Sequence, residues 1–237
     1  MKNILSAFAI LMLAGLPGFS EILDKTADIS GTTVHYKVVL PRNYDPAKVY
    51  PGVLAFGGGG QSIDVVDSMI RNSFQQEAER RGYIVVSPAA PDGEMFIMSG
   101  GEKLFPEFLT KILADYKIED GKFHAAGRSN GGISAFHIAA RHPQYFISIT
   151  AFPGFLTELL PSRLKGVSAM CIYMHVGELD TEWRAKMRDQ VEFFEELGMR
   201  VQFAIEEGQE HSIETLTGPG SARLFDHFDE ARRGCGK

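Results

Sequence analysis

The chain contains 237 residues, of which 44% are hydrophobic and 23% are charged, a balance typical of a folded globular protein and not of a disordered one. Its formal charge of -6 gives no electrostatic reason for it to bind nucleic acid or an anionic membrane. A chain of this length can bury a full hydrophobic core.

The N-terminus has the pattern of a secretory signal. Lys2 precedes an almost wholly apolar run over residues 4–16, and the small residue Ser20 follows. The run is shorter than the roughly 20 residues that a membrane span needs. We therefore predict a signal peptide over residues 1–20, export of the protein, and one α/β domain over residues 21–237. A retained anchor or a buried first helix is the alternative.

Downstream of the signal, apolar strand-like runs alternate with amphipathic stretches. Strands are predicted over residues 33–40, 52–56, 83–87, 122–126, 145–152, 168–175 and 200–205. Helices are predicted over residues 63–81, 103–116, 132–141, 180–197 and 221–233. This alternation predicts an α/β fold with a mostly parallel twisted sheet, helices on both faces, and functional residues at the carboxyl ends of the strands. No insertion is long enough for a large lid domain, although residues 153–165 are long enough for a short cap.

A serine follows the predicted strand over residues 122–126. Residues 127–131 read Gly-Arg-Ser-Asn-Gly and fit the G-x-S-x-G pattern, in which the serine occupies a sharp turn between a strand and a helix. Such a turn needs small neighbours, holds the hydroxyl clear of the sheet and directs a helix N-terminus at it. Ser129 is therefore the predicted nucleophile, and Ser134 is assigned to the helix surface or to packing. An ordinary glycine-rich turn is the alternative.

A nucleophilic serine needs a base, and the base needs an orienting acid, in the chain order serine, acid, histidine. Asp180 follows the predicted strand over residues 168–175 and is the predicted acid. An aspartate before a helix is also a common N-cap, and Glu178 is a rival acid. His211 follows the last predicted strand and is the predicted base, whereas His227 lies within the last predicted helix.

Backbone N–H groups are the predicted donors to the negative charge that acyl transfer creates. One belongs to Asn130, directly after the nucleophile. The other comes from the four glycines at residues 57–60, where we favour Gly59 and place Gly58 next. A tight turn or a phosphate-binding loop is the alternative, but no G-x-x-x-x-G-K-[ST] pattern is present.

The two cysteines, Cys171 and Cys235, are too few for a disulfide scaffold or a four-cysteine metal site. Export would permit them to pair. However, Cys171 lies in an apolar strand-like run and Cys235 in a glycine-rich tail, so we expect a buried free thiol and a separate tail thiol. The histidines show neither H-E-x-x-H nor H-x-x-x-H spacing, so we expect no metal site.

These motifs resemble those of the α/β-hydrolase superfamily, and within it those of small exported esterases grouped with polyhydroxybutyrate depolymerases and feruloyl esterases. The resemblance rests on Gly-Gly-Gly-Gly-Gln-Ser at residues 57–62, the turn at 127–132, Gly-Glu-Leu-Asp at 177–180, and Gly-Gln-Glu-His at 208–211. It implies hydrolysis of a small-molecule or polymeric carboxylic ester through an acyl-enzyme, without metal or organic cofactor. Relatives usually carry a loop-bracing histidine where this chain has Gly57, which leaves the loop geometry and the donor open.

Apolar residues in the predicted loops indicate where an acyl or aryl group would bind. Trp183, Phe155 and Phe96 are the predicted substrate contacts, and packing in the core is the alternative for each. Two other functions stay open. One is a serine peptidase on the same scaffold, and the other is a catalytically inactive binding module.

Overall fold

The structure, a computed structural model, describes residues 22–93, 95–98 and 100–235. The predicted signal peptide over residues 1–20 lies outside the described residues, and the single domain over residues 21–237 stays a prediction. Of the helices that the described part of the chain forms, none combines the length and apolar character needed to cross a membrane.

The described residues form one eight-stranded sheet. In chain order the strands are β1 (Ile22–Ile29), β2 (Thr32–Val39), β3 (Tyr50–Phe56), β4 (Ile84–Pro88), β5 (Ile118–Gly127), β6 (Phe146–Ala151), β7 (Cys171–Gly177) and β8 (Arg200–Glu206). Their spatial order is β1-β2-β4-β3-β5-β6-β7-β8. The β1-β2 and β2-β4 pairs are antiparallel, and the strands from β4 to β8 pair in parallel. The predicted mostly parallel sheet is confirmed. Strand β1, an edge strand in which four of the eight residues are exposed, was not predicted from the sequence.

Helices cover both faces of the sheet, as predicted. They are α1 (Ile63–Ser73), α2 (Gln75–Arg81), α3 (Phe105–Asp115), α4 (Asn130–Arg141), α5 (Pro161–Val167), α6 (Thr181–Glu196) and α7 (Ala222–Arg232). Helices α1, α2 and α7 bury their apolar sides against one face, and α3 to α6 cover the other. The single helix predicted over residues 63–81 is wrong. Phe74 leaves helical geometry at φ -130° and packs against Phe152 and Phe225, which divides α1 from α2.

The two cysteines form a disulfide, with 5.5 Å between their Cα atoms. The expectation of two separate thiols is therefore wrong. Helix α7 packs back across the sheet, where Ala231 and Tyr173 share an apolar cluster with Cys171, and this packing carries Cys235 to the start of β7. The pairing depends on this tertiary contact, which local sequence does not reveal.

Candidate active site

Ser129 occupies the turn between β5 and α4. Its backbone lies in the left-handed region, at φ 57° and ψ -124°, a conformation that residues other than glycine rarely adopt. A Cβ atom on Gly131 would collide with the carbonyl oxygen of Phe56, so the turn requires glycine there. The N-terminus of α4 begins directly after the serine. This geometry matches the strained turn predicted from residues 127–131.

The structure brings Ser129, His211 and Asp180 into one hydrogen-bonded line. His211 Nδ1 lies 2.6 Å from Asp180 Oδ2, and His211 Nε2 lies 2.7 Å from Ser129 Oγ. With Nδ1 donating its proton to the carboxylate, Nε2 is left to accept the serine proton. The Asp180 side chain is 11% exposed and the His211 side chain 41% exposed, so the imidazole opens to solvent. Asp180 precedes α6 but makes no capping bond with its side chain, which instead serves the histidine.

The rival acid Glu178 holds the loop that carries His211. Its carboxylate accepts the N–H of Gly208 at 2.9 Å, and its own N–H donates to the Glu206 carbonyl at 2.9 Å. A Cβ on Gly177 would collide with the carbonyl oxygen of Glu210, so the loop packs directly on the end of β7. These contacts hold the backbone of the loop that leads to His211. Glu178 therefore supports this loop, whereas Asp180 orients the imidazole of His211.

The predicted oxyanion donors lie next to the nucleophile. Asn130 is the first residue of α4, where a backbone N–H has no intrahelical acceptor. A Cβ built on Gly58 would lie 3.6 Å from Ser129 Cβ, whereas one built on Gly59 would meet no atom within 4 Å. The carbonyl of Gly59 accepts the side-chain amide of Asn130 at 3.0 Å. A side chain at Gly58 would therefore point towards the nucleophile, and the choice between Gly58 and Gly59 as donor stays a prediction.

Gln61 braces the glycine loop, a role that the sequence analysis missed. The side chain is fully buried, and its Nε2 donates to the Gly57 carbonyl at 3.1 Å. Its Oε1 accepts the N–H of Phe96 at 3.0 Å and the hydroxyl of Ser134 at 3.2 Å. The loop-bracing histidine of relatives is absent at Gly57, and the amide of Gln61 holds the loop instead. The only sequence signal was the position of a polar residue directly after four glycines.

Two of the three predicted substrate contacts lie beside the triad. The Trp183 ring lies 4.8 Å from the His211 ring, edge to face, and Phe155 packs 5.1 Å from Trp183. Phe96 does not join them, and its assignment to the substrate site is corrected. It is 1% exposed and packs against Phe105 at 4.9 Å, inside the core. Apolar character alone did not separate a core residue from a surface one.

The chemistry available at this site is that of the triad. Across the described residues, no group of three or more histidine, cysteine, aspartate or glutamate side chains is placed to hold a metal ion. The site offers a hydroxyl, an imidazole and a carboxylate in one hydrogen-bonded line.

The sheet order, the turn at Ser129 and the positions at the strand ends define an α/β-hydrolase. Residues 28–222 match the family described as "Putative esterase", and the chain belongs to that family.

Known proteins share sequence or fold with this chain. Over 128 residues the chain is 27% identical to dipeptidyl-peptidase 5 of Porphyromonas gingivalis, a match that covers 49% of this chain and only 19% of that peptidase. The feruloyl esterase module of Clostridium thermocellum, solved with sinapinate, superposes with a TM-score of 0.68 at 16% identity over 83% of each chain. The S-formylglutathione hydrolase of Agrobacterium tumefaciens gives 0.67 at 14% identity, over 91% of this chain and 95% of that one. At such identities the two structures show the shared fold alone.

Proposed function

We propose that this protein is an exported esterase that works through an acyl-enzyme, with Ser129 as nucleophile, His211 as base and Asp180 as the acid that orients the base. The observation that carries the proposal is the unbroken line of two hydrogen bonds, 2.7 Å from serine to imidazole and 2.6 Å from imidazole to carboxylate. Both distances lie in the range needed for direct proton transfer.

Each step of ester cleavage has a group in place. Ser129 Oγ attacks the ester carbonyl carbon while His211 Nε2 takes the hydroxyl proton, and the carbonyl oxygen becomes an oxyanion. The C–O bond then breaks, and His211 returns the proton to the departing alcohol. Water then gives a proton to His211 and attacks the acyl carbon, the bond from that carbon to Ser129 Oγ breaks, and His211 returns the proton to Oγ as the acid leaves. Asp180 stays ionised throughout and stabilises the imidazolium.

Two backbone N–H groups are proposed to bind the oxyanion, those of Asn130 and Gly58. Asn130 begins α4, so its N–H coincides with the positive end of the helix dipole. Gly58 is chosen because a Cβ built on it would lie 3.6 Å from Ser129 Cβ, whereas one built on Gly59 would meet no atom within 4 Å. Donors of this kind are worth about 3 to 4 kcal/mol each in the transition state.

The aromatic pair Phe155 and Trp183 is proposed to receive an apolar acyl or aryl group. Trp183 lies against the catalytic imidazole, so a group on it would sit beside the scissile bond. The sinapinate complex of the feruloyl esterase module agrees with an aromatic acyl group. Because His211 is 41% exposed, a small ester or one displayed on a polymer can reach the triad. The resemblance to polyhydroxybutyrate depolymerases is likewise part of this proposal and not an established property.

Export is proposed from the N-terminal sequence, in which the apolar run follows Lys2. Expression of the full chain in a bacterium, followed by mass spectrometry of the mature N-terminus, tests it. We expect the mature protein outside the cytoplasm with Glu21 as its first residue. A full-length protein that stays in the cytoplasm would contradict export and leave the enzymatic proposal intact.

The decisive experiment compares p-nitrophenyl esters of short and medium acyl chains, a feruloyl ester, and dipeptide nitroanilides. The dipeptide nitroanilides are included because the partial match to a dipeptidyl-peptidase makes a serine peptidase the alternative function. We expect ester turnover that Ser129→Ala abolishes and that Ser162→Ala, a change in an exposed serine of α5, preserves. A fluorophosphonate probe should modify Ser129. No adduct and no turnover would favour an inactive binding module.

A further inference from the structure

Arg128 lies directly before the nucleophile and has no role in the chemistry described above. Its side chain is partly buried, and its Nε lies 3.6 Å from the position that a Cβ on Gly58 would occupy. The same hypothetical Cβ would lie 3.6 Å from Ser129 Cβ. The side chain therefore lies along the glycine loop, on the flank of the site where the oxyanion would form.

No side chain or carbonyl of the described residues pairs with the guanidinium of Arg128. Three other partly buried arginines are engaged. Arg141 and Arg163 pair with Glu158, and Arg184 donates to the carbonyl of Glu178. A partly buried guanidinium has lost some of its hydration, and without an anionic partner that loss is uncompensated. Its planar array of donors matches a carboxylate in a bidentate arrangement.

We propose that Arg128 forms an anion subsite, so that the substrate is an ester bearing a carboxylate close to the scissile bond. The inference rests on the proposed ester hydrolysis and adds a substrate class to it. The carboxylate belongs either to the acid part or to the alcohol part of the ester. The protein as a whole carries a charge of -6, which opposes long-range attraction of anions. Recognition is therefore a short-range contact with Arg128, supported by the positive N-terminus of α4.

The kinetic test uses two matched ester pairs that differ in charge. Mono-p-nitrophenyl adipate against p-nitrophenyl hexanoate places the carboxylate on the acid side. The second pair, para-acetoxybenzoate against its methyl ester, places it on the alcohol side. The readout is the ratio of kcat/KM for the anionic ester to that for the neutral one. We expect Arg128→Gln to lower this ratio by about tenfold in one pair, which identifies the side, and Arg128→Glu to lower it further.

The matched control is Arg233→Gln, because Arg233 is exposed and lies after α7, on the disulfide side of the sheet. It should leave the ratio at the wild-type value. Added salt should reduce the ratio in wild type more than in Arg128→Gln, since screening weakens a partly exposed ion pair. A ratio that Arg128→Gln and Arg128→Glu leave unchanged in both ester pairs would overturn the proposal.

A binding experiment separates failure of this inference from failure of the proposed function. Benzoate and neutral benzamide are titrated by NMR into wild type and into Arg128→Gln. We expect benzoate to bind wild type more tightly, and the preference to disappear in the variant. This outcome supports the subsite even for a protein without turnover. Equal binding of benzoate and benzamide by wild type contradicts the subsite, whatever the esterase assay shows.

Discussion

Gln61 and Ser134 join the glycine loop to the helix that follows the nucleophile. Ser134 Oγ donates to Gln61 Oε1 at 3.2 Å, and Gln61 Nε2 donates to the Gly57 carbonyl at 3.1 Å. Both side chains are fully buried, so solvent cannot replace either bond. The brace therefore fixes the distance between the loop and Ser129, on which the oxyanion site depends.

Substitution of Gln61 should lower kcat with a smaller effect on KM. In its ionised form Gln61→Glu keeps the shape and the acceptor oxygen but cannot donate to the Gly57 carbonyl, which leaves a buried acceptor unsatisfied at a cost of about 1 to 3 kcal/mol. We expect kcat on p-nitrophenyl butyrate to fall by roughly tenfold or more. Gln76→Glu, a change in an exposed glutamine of α2, is the matched control. Unchanged kcat in Gln61→Glu would show that the loop keeps its geometry without the brace.

Asp180→Asn should reduce turnover much more than Glu178→Gln. The amide of asparagine can donate to His211 Nδ1 and favour the tautomer in which Nε2 carries the proton, so the base can no longer accept from Ser129. We expect a loss of about 100-fold or more in kcat. Glu178→Gln keeps an oxygen that can accept from Gly208 and should cost far less. The reverse order would make Glu178 the orienting acid.

The sequence predicts the parts of this site that follow local rules. Ser129, Asp180 and His211 each follow a strand in the order serine, acid, histidine, although that order alone leaves Glu178 as a rival acid. Predictions that depended on packing between distant segments were less accurate. Nothing near Phe96 in the chain shows that Phe105 buries it, and nothing near Phe74 shows why α1 ends there.

Cysteine pairing and the role of Gln61 were missed for the same physical reason. Cys171 and Cys235 meet only because α7 crosses back over the sheet. Gln61 contacts Phe96 and Ser134, which are distant from it in the chain. In the sequence alone, a polar residue after four glycines is indistinguishable from an ordinary turn residue, because its contacts with Phe96 and Ser134 are visible only in the folded structure.

Reduction of the disulfide should lower stability and leave activity nearly intact at moderate temperature. The bridge closes a loop between residues 64 positions apart, and the chain-entropy argument assigns about 4 kcal/mol to a loop of this length. It lies at the start of β7, whereas Asp180 lies beyond the end of that strand. We expect dithiothreitol to lower the Tm of wild type and not that of a Cys171→Ser/Cys235→Ser variant. Alkylation of both thiols in the unreduced protein would contradict the pairing.

The buried cluster under α7 should make the protein less stable in acid. His175 lies between Glu206 and His227, at 2.8 Å from each. The hydrogen bond from His175, then that from Arg223, holds the pKa of Glu206 below its usual range. Burial, aided by the nearby His175 and Arg223, lowers the pKa of His227 to about 4. Both shifts mean that the unfolded chain binds more protons than the folded one in acid, so stability falls as the pH falls.

The pH range in which stability is lost distinguishes His227 from Glu206. For His227 the loss of stability begins near the ordinary histidine pKa of about 6.5 and is complete near the folded pKa of about 4, whereas that of Glu206 begins only below the ordinary glutamate pKa of about 4.3. The free energy of unfolding is measured in urea at several pH values. As the pH falls from about 6.5 to about 4, we expect this free energy to decrease less steeply in His227→Gln than in wild type. His35→Gln, which alters an exposed histidine of β2, should keep the wild-type slope. An identical slope in His227→Gln would show that this histidine is not the group that couples protonation to unfolding.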